Sequence, residues 1–125
     1  MTRYALYKIP WNFKTVNGKP QAFFVKIFDD ETRNPPSLKE LQSVVGGLIQ
    51  EVRVDLKWQE IMENRVNENA DFDGELYDGT YFQFVAMYAN EEGLLMDLPF
   101  NSPASAVTDQ FLVGDVAVVF KDTTR

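Results

Sequence analysis

The chain has 125 residues, with no His and no Cys, and a formal net charge of −7. That length suits one domain burying roughly two-thirds of its unfolded surface. The missing His and Cys exclude disulfides, cysteine zinc sites, thiol nucleophiles, imidazole bases and every Ser-His-Asp arrangement.

Any chemistry must therefore come from carboxylates, Lys, Tyr, Ser or Thr, or from a carboxylate-held Mg²⁺ or Ca²⁺. Ten Phe and five Tyr supply core material. The charge is unevenly spread. Residues 1–28 carry Arg3, Lys8, Lys14, Lys19 and Lys26 and no acid, a local +5. The remainder sets all nineteen acids against seven bases, a local −12. Such asymmetry either makes a basic face for an anionic ligand or draws the two parts of one fold together. The negative total disfavours broad contact with nucleic-acid phosphates. No apolar run approaches the roughly 18 residues of a membrane span. The start, MTRYALYKIP, turns polar too soon for a signal peptide, so a soluble cytoplasmic protein is expected.

In chain order, RYALYKI (3–9) alternates as a half-buried strand ended by Pro10. Residues 11–28 read as a hairpin turning at Asn17-Gly18, a pair that tolerates a type I′ turn. Pro20 places the start of the second strand at an edge, and Trp11, Phe13, Phe23 and Phe24 are expected in the core. DDETRNPP (29–36) is a polar loop. Ser37 and Glu40 form a capping box ahead of a stripe of Leu38, Leu41, Val44 and Val45, and Gly46-Gly47 ends that helix. LIQEVRV (48–54) alternates as a strand.

Trp58, Ile61, Met62 and Val66 recur at helical spacing over 57–66, followed by an acidic stretch, 67–79. Within it Asn69, Asp71, Asp73 and Gly74 fall where an EF-hand loop places ligands and its turn glycine, but Thr80 stands where the bidentate Glu is needed. A solvated acidic loop is the favoured reading, with no metal. TYFQFVAMYA (80–89) reads as a strand, Asn90-Glu91-Glu92-Gly93 as a turn with Gly93 at positive φ, and LLMDL (94–98) as a short strand. Ser102 can cap a short helix with Pro103 at its first position. FLVGDVAVVF (111–120) closes the sheet with a possible bulge at Gly114-Asp115, leaving 121–125 as a frayed tail. The expected architecture is α+β: one domain, with a mixed, mainly antiparallel sheet of five to six strands and two to three helices packed on one face.

Three blocks carry a resemblance: Val45-Gly46-Gly47 at a helix end, Asn90 to Gly93 with Leu98 to Asn101, and the closing Gly114-Asp115 strand. In that order they resemble domain-of-unknown-function family 3846, small proteins of phages and mobile elements. The likeness spans residues 38–120, interrupted by 55–79, so that acidic insertion, 55–79 with its possible helix, and the basic aromatic hairpin look like additions to the shorter pattern. The family brings no established activity. It implies a mobile-element setting in which small accessory proteins bind and disable a host defence factor.

Two candidate surfaces follow. Lys8, Lys26, Asn90, Asn101 and Ser102 could receive a small anionic nucleotide, using the N–H groups of a helix start. Glu68, Asp71, Asp73, Glu75 and Asp78 could meet a host protein, with Glu60 and Glu63 extending them as a phosphate mimic. The leading expectation is a non-enzymatic, cofactor-free counter-defence protein that binds a host factor or sequesters a signalling nucleotide. Self-association is left open. The rivals are a metal-dependent phosphoesterase using the acidic loop, a nucleic-acid mimic, and a structural accessory domain.

Overall fold

The two ends of the chain lie side by side at the centre of the sheet. Strand β1 (Thr2–Ile9) pairs antiparallel with β7 (Val116–Thr123) along its whole length, from Thr2↔Thr123 to Ile9↔Val116. The computed structural model describes residues 2–11, 15–16, 19–20, 25–26, 35–72 and 81–123, with side chains over 4–11, 35–67 and 81–121. On the far side of β7 come β6 (Gln83–Asn90) and then β5 (Ile49–Val52). The two-residue β4 (Val25–Lys26) lies on the outer side of β1. The sheet order is β4-β1-β7-β6-β5, and every pairing is antiparallel. A separate ribbon joins β2 (Thr15–Val16) to β3 (Lys19–Pro20), with Val16 opposite Lys19. Among the described residues the sheet has four longer strands and the two-residue β4, the lower end of the expected five to six, and no parallel pair occurs.

The class is α+β, but the helices occupy both faces rather than one. Successive side chains of a strand point to opposite faces. Leu6, Ala117 and Val119 therefore share one face, where they pack with Leu41 and Val45 of α1 (Leu38–Val45). Tyr7, Val118, Phe120, Met87 and Val52 point the other way. There they meet Met62 and Val66 of α2 (Leu56–Phe72) and Ala104 and Val107 of α3 (Ser102–Thr108). Both faces of β7 are apolar, as a central strand requires, which is why residues 116–120 are all buried.

Helix α1 follows local rules. The Ser37 hydroxyl accepts from Glu40 N at 3.1 Å and the Glu40 carboxylate accepts from Ser37 N at 3.1 Å. Gly46 ends the helix at φ 80°, where an L side chain would be strained. Helix α2 runs well past the expected 57–66, and Met62 and Val66 are at most 1% exposed. Residues 55–72 therefore supply part of the core and are not an appendage to it. The backbone at positions 69 and 71 is helical. An EF-hand loop must leave its helix at its first ligand, so that reading fails.

Three further expectations are corrected. The run 94–98 is not a strand: residues 91–97 coil into a turn held by Met96 N→Glu92 O at 2.9 Å and Leu98 N→Gly93 O at 3.0 Å. Gly93 is absent from the positive-φ residues, and Asp97 takes that geometry at 57°. The last strand begins at Val116 and continues through Thr123 because the start of β1 extends alongside it, so residues 121–123 are not frayed.

Candidate functional site

The sheet register gathers one end of the molecule. β1 and β6 both run antiparallel to β7, so the last residues of β1 and β6 lie beside the start of β7. From this end the chain leaves β6 through residues 91–100, forms α3, and returns through 109–115. Two buried asparagines fasten the excursion. The Asn90 amide donates to Val45 O at 3.1 Å and to Met96 Sδ at 3.5 Å, while its carbonyl accepts from Glu92 N at 2.8 Å. It thereby ties the end of α1 to the start of the turn. A Cβ on Gly47 would stand 2.9 Å from the Asn90 amide nitrogen, so glycine is what lets the two elements meet.

Asn101 is fully buried and spends its whole amide internally. It donates to Ile9 O at 2.9 Å and Gly114 O at 2.8 Å, and accepts from Ala104 N at 3.0 Å. Asn101, and not the expected Ser102, is thus the cap of α3, with Pro103 at its second position. The return is pinned by Asn101 N→Leu112 O at 2.9 Å, Gly114 N→Pro99 O at 2.7 Å, and a two-way exchange between Ser105 Oγ and the Leu112 backbone. Gly114 sits at φ 72° with the Leu98 side chain against it.

The structure therefore brings Lys8, Asn90, Asn101 and Ser102 to one end of the sheet, but not as a nucleotide cradle. The amides of Asn90 and Asn101 are turned inward and used. Lys8 Nζ lies 3.8 Å from Asp115 Oδ2, and Asp115 Oδ1 accepts from Trp11 N at 3.2 Å. Ser102 is exposed on the first turn of α3. Lys26 belongs to β4, opposite Tyr7, with its side chain outside the described residues. Of the proposed partner-binding acids, Glu68 and Asp71 fall within α2, their side chains undescribed, and Asp73, Glu75 and Asp78 lie outside the described residues. Trp11, expected in the core, is exposed, and Phe13, Phe23 and Phe24 are outside the described residues. Among the described residues no group of three or more Asp or Glu stands close enough to hold a metal ion.

What this end does display is apolar surface. Leu94, Leu95, Met96, Phe100 and Phe111 are all exposed, Leu95 by 88% and Phe111 by 66%. The rings of Phe100 and Phe111 stack at 5.0 Å between centroids and 23° between planes. The two groups flank one segment, because Phe100 bridges to Val113 and a Cβ on Gly93 would lie 2.6 Å from a Val113 methyl. The sequence reading places Leu94, Leu95 and Met96 in a short strand and Phe111 in the closing strand, and so misses this surface. The available signal was a Leu-Leu-Met run without alternation between Gly93 and Pro99, which gives a strand no polar face.

At the opposite end, α2 holds the start of β6 through its side chains. Asn67 accepts from Phe82 N at 2.8 Å and donates to Phe82 O at 3.0 Å, as a paired strand would. The Glu63 carboxylate accepts from Phe84 N at 2.9 Å. Burial, then Glu63 and Glu60, raise the Tyr81 phenol above its ordinary pKa. Burial, then Glu51, raise that of Tyr88. No helix among the described residues is long and apolar enough to cross a membrane. Comparison with protein-family models, curated proteins and solved structures returned no match.

Proposed function

We propose that this chain is a non-enzymatic binding protein that acts by docking on another protein, in the mobile-element setting implied by its resemblance to domain-of-unknown-function family 3846. Its target would be a host factor in the cytoplasm of a bacterial cell, and its role counter-defence. The observation that carries the reading is the exposed cluster of Leu94, Leu95, Met96, Phe100 and Phe111 on a doubly pinned excursion. A soluble domain gains nothing from holding such residues outside its core unless something covers them. Aromatic and Met side chains on rigid supports are also what protein interfaces favour. The nucleotide-sequestering alternative is weaker, because two of its five proposed ligands, Asn90 and Asn101, have their amides committed to the fold.

The test is affinity capture from bacterial lysate with the wild-type chain and with Leu95→Asp and Phe111→Ser, each checked for an unchanged circular-dichroism spectrum and melting temperature. Capture of one protein partner that both substitutions abolish is the expected result. Bound nucleotide recovered intact from the wild-type chain, or a partner indifferent to both substitutions, would overturn the docking role.

A further inference from the structure

Resting on the docking role just proposed, we infer that the surface receiving Leu95 is an apolar pocket rimmed by Lys and Arg on a cationic protein. Two features, one of shape and one of charge, carry this. Leu95 is the most exposed large apolar side chain among the described residues and stands at the crown of a closed turn. The feature is convex, so its complement is concave. A flat or convex apolar partner would leave its flanks wet.

The charges that flank it in sequence have one sign. From residue 66 to residue 120 the sequence holds ten acids and not one Lys or Arg. Glu91 and Glu92 precede the apolar run directly, Asp97 follows it, and Asp109 stands two residues from Phe111, all four exposed. Asp115 is set apart by its pairing with Lys8. Docking the apolar cluster strips water from these rim carboxylates, and a partner offering cations there compensates that loss. An anionic partner meets uncompensated repulsion instead. That disfavours nucleic acid, an anionic membrane, and a second copy of this chain, whose own Glu91, Glu92 and Asp97 would face their counterparts. Attraction between such surfaces also steers the encounter, so the association rate should fall steeply with salt.

The experiment places the photo-crosslinker p-benzoylphenylalanine at position 95 of the full chain, which keeps the site apolar. Irradiation in bacterial lysate is followed by mass-spectrometric mapping of the crosslinked peptide. The captured protein is then purified and its affinity measured between about 50 mM and about 500 mM NaCl. The same measurement is made with the exposed triple variant Glu91→Gln, Glu92→Gln, Asp97→Asn. Crosslinking beside a Lys- and Arg-rich pocket is expected, with affinity weakened on the order of tenfold by high salt and by the triple variant, chiefly through the association rate. Crosslinking to a second copy, to nucleic acid or to an acidic surface would overturn the inference, as would no crosslink at all. A partner lost with Leu95→Asp but insensitive to salt and to the triple variant would overturn the cationic pocket alone. Capture that ignores Leu95→Asp would overturn the docking role as well.

Discussion

Asn101 shows how much one residue can hold. Its amide donates to Ile9 O at the end of β1 and to Gly114 O, and caps α3, so three segments of the chain meet on one buried side chain. Replacing it with Ala removes the donor to two buried carbonyls and the acceptor of one N–H. Asn101→Ala should therefore cost about 3 kcal/mol, lowering the melting temperature by roughly 10 °C. Asn101→Asp keeps the acceptor for Ala104 N but aims a carboxylate at two carbonyl oxygens, so at neutral pH it should cost more than Ala. Burial and those oxygens raise the introduced carboxyl's pKa in the folded state, and the folded protein then holds the proton more tightly than the unfolded chain. The variant's deficit should shrink as pH falls from about 7 to about 5.5, whereas that of Asn101→Ala should not. Denaturant curves at the two pH values decide it. Equal deficits for both variants at both pH values would mean that the amide donors contribute little.

At the scale of elements, what could be read from sequence was what neighbours in sequence enforce. Ser37, Glu40 and Gly46 complete α1 within ten residues, and the alternation of RYALYKI needs no partner to be recognised. Misreadings arose where distant contacts decide. Residues 121–123 become strand because β1 begins at Thr2, and Leu94 to Leu98 coil because Gly93 packs on Val113 and Leu98 on Gly114. The candidate site was legible only as its scaffold: Asn90 and Asn101 were singled out, but the surface they support was not. Helix α2 was read as an addition because its polar residues obscure its two fully buried side chains. Met62→Ala should cost about 2–5 kcal/mol in a denaturant titration; a loss near zero would restore the view that 55–72 is dispensable. The seam between α2 and β6 gives a second prediction. The raised Tyr81 pKa stabilises the folded state fully below about pH 10, and that contribution is lost as pH rises through the folded value. Glu63→Gln keeps an acceptor for Phe84 N and removes a repulsive charge, so Tyr81 should ionise at lower pH. Absorbance of the phenolate would show the shift, with Tyr88, raised by burial and Glu51, as an internal reference that stays in place.

At the scale of the whole molecule, exposed apolar surface and net charge act against each other in self-association. Exposed side chains such as Leu94, Leu95 and Phe111 favour self-association, and the net −7 and the neighbouring acids oppose it. Near the sequence pI of about 4.5 the net charge vanishes, while the apolar area is unchanged. Sedimentation velocity should therefore find a monomer near pH 8 and growing association as pH approaches 4.5. High salt at pH 8 should also promote association, because it screens the same repulsion. The double variant Leu95→Ser, Phe111→Ser removes apolar surface without adding charge. Its association at the isoelectric point should fall by on the order of tenfold relative to wild type if the cluster is the sticky element. Were the double variant to associate as readily as wild type, loss of charge alone would account for the behaviour, and the cluster would no longer rank as the molecule's most adhesive surface.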